Sequence, residues 1–295
     1  MPGTQRVAGD PGETNDTVSD VLKLSSPATH EFWKVPVLFE DEHILALDKP
    51  ASLLASPDRL DPARPSLIKL LHVAVSAKKP WAMARGLGYL MNAHRLDEEA
   101  SGVFVLAKTR HVLAPLANLF GSQKPVHAFL ALVKGSPIED SFKVDVATAQ
   151  DAALPGRMRV QPQNGKRTWT QFEVVERFRG YTLFKCFPLT ERRHQIRVHL
   201  AHFGFPVCGD KTYRGKPLML SRLKPNYRLK PNRTERPLIG STALHAESLS
   251  FDHPITGQPV RIEAPLPKPF QVALKYLRQY ASDANPPECS NHCLR

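Results

Sequence analysis

Two short stretches hold the side chains best suited to chemistry. Residues 91–102 carry His94, Arg95 and Asp97 in a loop-like segment just ahead of a buried strand. A carboxylate in such a place can serve as a base or a nucleophile. Taken alone, Asp97 reads first as a turn residue bonding its own backbone. Residues 190–204 place Arg193 and Arg197 four apart, hence on one helical face, with Ile196, Leu200 and Phe203 on another, apolar face. Taken alone, this is an amphipathic helix with a solvated basic side.

Other arrangements lead nowhere. Gly86-Leu87-Gly88 lacks the third glycine of a dinucleotide fingerprint, and no phosphate-cradling loop is present. Ser56 or Ser101 with His94 would need an elbow motif that the sequence does not contain. His199 and His202 could share a face but offer no third ligand at a recognisable spacing. Cys289, His292 and Cys293 lie in a polar terminal segment. No metal site is expected.

The elements that must position these residues follow from periodicity. Short apolar runs predict strands over 37–40, 43–47, 103–107 and 129–133. Further strand pairs are predicted over 168–175 with 181–187, turning at Arg179-Gly180, and over 244–251 with 259–262. Helical spacing predicts helices over 66–76 with Ser66 as cap, 112–120 ended by a left-handed Gly121, 194–203 closed by Gly204, and 270–280. Strand pairs outnumber crossovers, so the expected fold is α+β, a mixed, mostly antiparallel sheet with flanking helices. Residues 1–34 read as a mobile tail, 35–281 as one catalytic domain, and 282–295 as a flexible tail.

Composition narrows the partner. The chain of 295 residues has a formal net charge of +12, which favours a polyanion. Between 211 and 236, nine basic residues face one acidic residue, Glu235, with Tyr213, Tyr227 and several prolines between them. Lys224, Tyr227 and Arg228 of this loop are candidates to follow phosphates and stack on a base. Four cysteines are too few for a disulfide framework. No apolar run approaches the ~18–20 residues of a membrane span, and no secretory signal is read in the first thirty residues. A cytoplasmic location is expected.

Five ordered segments carry a specific resemblance. They are Asp48-Lys49-Pro50; His94-Arg95-Leu96-Asp97 with Ser101-Gly102 and Ala107-Lys108; and 129–135. The last two are Arg192 with 194–200, Gly209-Asp210 and Tyr213, and then 243–246 with Phe251, His253-Pro254, Thr256-Gly257 and 264–267. Together these resemble the RluA-type pseudouridine synthases, over roughly 37–270. The resemblance implies an isomerase that converts uridine to pseudouridine in structured ribosomal or transfer RNA, without metal or organic cofactor. It implies Asp97 as the essential carboxylate, acting either covalently or by abstracting a ribose proton, and Arg197 as the cation that keeps it charged and oriented. Arg95 would enter the space left by the flipped base, and Phe129 would stack on the uracil. His94 and Arg193 are the remaining expected substrate contacts, and a monomer is expected.

The chain departs from the family pattern in several places. Phe129 stands where tyrosine is usual and brings no phenolic hydroxyl. Glu191 and Arg193 stand for a glycine and a small hydroxyl residue, Ala100 for a threonine, and Ser52 and Ser56 for a glycine and a histidine. The lead-in of 34 residues is too short for the extra RNA-binding domain that many members carry. These departures leave open a rival reading, a catalytically weak RNA-binding or RNA-folding protein using the same cleft. A glycoside hydrolase would want a second positioned carboxylate, and Glu98 and Glu99 lie too near in sequence to be assumed for it.

Overall fold

The apolar runs are continuous, rather than alternating, because the sheet they form is covered on both faces. The structure, a computed structural model, describes residues 20–58 and 60–282. The chain opens with β1 (Val21–Ser26), β2 (Glu31–Glu40) and β3 (Ile44–Lys49), then α1 (Leu67–Ser76) and α2 (Pro80–Ala84). Next come β4 (Met91–Asn92), β5 (Ser101–Ala107), α3 (Arg110–Gly121) and β6 (Val126–Lys134). The strands β7 (Ser141–Gln150), β8 (Met158–Val160), β9 (Lys166–Phe178) and β10 (Tyr181–Pro188) precede α4 (Gln195–His202). The last elements are β11 (Leu244–Asp252), β12 (Pro259–Glu263) and α5 (Lys268–Tyr280).

Hydrogen bonding orders the strands β1-β2-β3-β5-β11-β6-β10-β9-β7-β8, with β12 on β11 and β4 on β5. The β5–β11 pair is parallel and the other pairs are antiparallel. This is the mixed α+β sheet expected from the sequence. In β3, Leu45 and Leu47 join the larger core while Ile44 and Ala46 join a smaller one with Val112, Leu116 and Phe120 of α3. Successive side chains thus enter opposite layers, and every position wants to be apolar.

Several expectations are corrected. Part of the predicted N-terminal tail is a hairpin: β1 pairs with β2 from Val21↔Pro36 to Ser26↔Glu31. Leu22 and Leu24 are buried while Lys23 and Ser25 face out, a period-two pattern too short to stand out in a polar stretch. The rest of that tail call, residues 1–19, and all but Ser282 of the 282–295 call lie outside the described residues. Gly121 does not end α3 in the left-handed region; it is helical, and Gln123 carries the positive φ of 60°. Phe203 is exposed instead of anchoring α4. Arg193 precedes α4, so it does not share a helical face with Arg197. Nor is that helix amphipathic. Every residue from Gln195 to Leu200 is buried.

At the parallel β5–β11 contact the two backbones approach closely. Gly102 lies opposite Ala246 with a φ of 111°, and a Cβ there would come within 2.1 Å of the Ala246 carbonyl oxygen. Gly102→Ala combines left-handed strain with a backbone overlap, so it should cost about 2–4 kcal/mol. Thermal unfolding measures this, and an unchanged midpoint would show that the two strands can part at no cost.

Candidate active site

Asp97 lies in the connection between β4 and β5, and buried polar groups fix that connection from beneath. Lys49, at the end of β3, is fully buried, and its Nζ donates to the carbonyls of Pro50, Leu53 and Glu98 at 2.9, 2.8 and 3.2 Å. The Ser52 amide donates to the same Glu98 carbonyl at 2.8 Å. Ser52 has φ +63°, the left-handed region that favours glycine, which accounts for the glycine usual at this position in the resemblance. Burial pushes the Lys49 ammonium down to about 7, opposed by the charges of Asp97, Glu98, Glu99 and Asp48.

His94 is buried within the fold. Its Nε2 accepts the Val105 amide at 2.9 Å, and its ring stacks on Phe120 with centroids 4.6 Å apart. Burial, helped by the neighbouring His127, drives its pKa down to about 3. His94 does not line the cleft beside Asp97, and this corrects its assignment as a substrate contact.

Arg197, 1% exposed, reaches Asp97 from α4. Its Nη1 donates to Asp97 Oδ2 at 3.3 Å, the longest of its contacts. Two other carboxylates hold it more closely. Nε and Nη2 form a fork on Asp210 at 2.6 and 2.9 Å, while Nη1 and Nη2 reach the two oxygens of Glu99 at 2.7 and 3.0 Å. Asp210 is itself fully buried and accepts the amides of Thr212 and Tyr213. The Tyr213 ring lies 5.3 Å from the guanidinium carbon, and its hydroxyl pairs with His194 Nδ1 and accepts the Met158 amide. Burial alone would lower the Arg197 pKa. The Asp210 hydrogen bonds and the charges of Asp97, Asp210 and Glu99 reverse this and raise it.

The structure brings together Asp97 and Arg197, which the sequence reading paired, and adds the partners that hold the guanidinium, Asp210 and Glu99. Asp97, Glu99 and His194 converge within 4.8 Å of one another, and the cation between the two carboxylates is Arg197. Glu98 is paired with Arg64 at 2.7 Å. Both glutamates are thus tied up in ion pairs with arginines.

Two clefts meet at Asp97. The first is lined by Arg95, Asp97, His127, Phe129, Glu191 and Ile196 among others. The second, broader cleft is lined by Arg95, Asp97, Arg64, Leu154, Arg157 and Arg193 among others. Arg95 is exposed at the junction of the two. Of the predicted site residues, Asp97, Arg197, Arg95, Phe129 and Arg193 are therefore gathered together. Lys224, Tyr227 and Arg228 are not. Tyr227 and Arg228 line a separate groove with Leu220, Arg233 and Arg236, and Lys224 sits 6.0 Å from the Tyr280 ring centroid on α5.

Comparison with known proteins identifies the family. Residues 43–202 match the family model described as RNA pseudouridylate synthase. The chain belongs to the RNA pseudouridylate synthase family. The chain is 32% identical over 279 residues to a "Ribosomal large subunit pseudouridine synthase D" of Xanthomonas campestris, covering 92% of this chain and 78% of that protein. A protein of the same name from Pseudomonas aeruginosa is 34% identical over 251 residues, covering 83% and 72%. Human RNA pseudouridylate synthase domain containing 4 superposes with a TM-score of 0.60 at 22% identity, over 82% of this chain and 92% of that one, which speaks for the fold. As a family member the chain is an isomerase acting on RNA. Among the described residues, no helix is long and apolar enough to cross a membrane.

Asp210→Asn removes the charge that orients Arg197 while keeping the side chain's shape. Breaking a buried ion pair in this way should destabilise the fold by about 3–5 kcal/mol. Denaturant titration checks the value; a change near zero would mean that Glu99 and Asp97 suffice to hold the guanidinium.

Proposed function

We propose that Asp97 is the essential carboxylate for isomerising a uridine in structured ribosomal or transfer RNA. The observation that carries the reading is the meeting of Asp97 and Phe129 in one cleft, with Arg197 fixed beneath the carboxylate. A uracil stacked on Phe129 gains about 1–3 kcal/mol, and its sugar then lies on the Asp97 side. From there the carboxylate can attack C1′ or remove a ribose proton. Either step needs a nucleotide turned out of its stack, which costs a few kcal/mol. Arg95, exposed beside the cleft, has the planar guanidinium to occupy the vacated space.

Ribosomal RNA is the favoured substrate, because the relatives at 32–34% identity are named for the large ribosomal subunit. The broader cleft, with Arg64, Arg157 and Arg193, is suited to the RNA backbone that flanks the turned-out base. The groove around Tyr227 and Arg228 would serve as a second, more remote contact. We further take the protein to act as a cytoplasmic monomer whose catalytic region, 35–281, is extended at its front by the β1 hairpin strand.

The test is to map pseudouridines in total RNA with and without the gene, then restore wild type or Asp97→Asn. The variant should lose at least ~10²-fold in rate while RNA affinity stays within about threefold. A variant that still restores the missing pseudouridine would transfer the chemistry to another group and favour the RNA-folding reading.

A further inference from the structure

The first cleft contains an acid–base pair for which the Asp97 chemistry has no use. His127 and Phe129 are two apart on β6, so they point to the same face of the sheet. The His127 ring stands perpendicular to the Phe129 ring with centroids 5.7 Å apart. Glu191, in the turn between β10 and α4, places Oε1 2.9 Å from His127 Nδ1. Both line the cleft together with Asp97. His94, 5.3 Å from the His127 ring, packs behind it, and Arg95 lies close enough to act electrostatically on Glu191.

The reaction calls for such a pair. Conversion breaks N1–C1′ and makes C5–C1′, after which C5 bears both its hydrogen and the sugar. The C5 proton must then leave. The C–H electron pair becomes the C5=C6 bond, the N1=C6 pair moves to N1, and N1 takes up a proton. Asp97 sits on the sugar side, and the phenol that a tyrosine would bring is missing at Phe129. Of the other side chains around this cleft, the arginines stay protonated. That leaves His127 and Glu191.

We propose that His127, oriented by Glu191, accepts the C5 proton of the base stacked on Phe129, completing the isomerisation that Asp97 begins. The neutral imidazole takes the proton and becomes an imidazolium facing the Glu191 carboxylate. The proton then passes to solvent, and N1 receives one in return, so no oxidant or co-reactant is required. Glu191 is a positioning residue that fixes the ring and its tautomer. The inference rests on the reading of Asp97 given above.

The experiment uses total RNA from cells lacking the gene, grown on ordinary or 5-deuterated uracil, and follows single-turnover pseudouridine formation with the full chain. His127→Gln should slow conversion by ~10²-fold or more, with a C5 isotope effect larger than that of the wild type and RNA affinity unchanged. Glu191→Gln should show the same isotope signature with a smaller loss, and added imidazole should partly restore His127→Ala. The proposal is overturned if His127→Gln stays within about threefold of wild type. It is equally overturned if the rate falls with no rise in isotope effect, or in step with RNA affinity, since packing alone would do that. Asp97→Asn run alongside keeps the two claims apart, because failure of the His127 claim leaves the dependence on Asp97 intact. Absence of conversion by the wild type would sink both.

Discussion

A guanidinium with almost no contact with water, shared by three carboxylates, is the interaction on which the site depends. Taking Arg197 out of solvent is costly, and only close, well-aligned anions repay it. Asp210 and Glu99 supply these, each through two hydrogen bonds, so the cation is already fixed before Asp97 is considered. The contact to Asp97 is single and longer. This division suits a working carboxylate: it feels a positive charge at a set place without being bound in a fork. Lys49 completes the arrangement from the other side by holding the backbone of the same loop through the Glu98 carbonyl.

The sheet explains how residues so far apart in sequence reach one point. Asp97 precedes β5, Phe129 lies on β6, Glu191 follows β10, and Arg197 comes from α4. β11 stands between β5 and β6, and β6 is bonded to β10, so their adjoining ends bring these groups around one opening. The Ala246–Gly102 approach sets how closely β5 and β11 meet. A backbone joint thereby sets the geometry of a site whose side chains it does not touch.

Legibility in the sequence followed the reach of each interaction. The strands at 43–47, 103–107 and 129–133 were readable because double-sided burial makes an unbroken apolar run. α4 was readable as a helix and misleading as an amphipathic one: Arg197 and His199 are polar yet buried, held by Asp210, Glu99 and Thr168. No local pattern announces a cation whose Glu99 partner lies 98 positions away. β1 and β7 were missed because they are short or polar on one side. The resemblance supplied Asp97, Arg197 and Phe129, yet only coordinates could separate Lys224, Tyr227 and Arg228 from the cleft or join His127 to Glu191.

Replacing the fork while keeping the charge separates the aim of the guanidinium from its charge. In Arg197→Lys a compact ammonium cannot reach Asp210, Glu99 and Asp97 at once. The variant should fold, and its single-turnover rate should fall by ~10²-fold or more, at any pH where lysine is charged. Turnover at the wild-type rate would mean that positive charge alone suffices, and that the three-carboxylate cradle does not aim the chemistry.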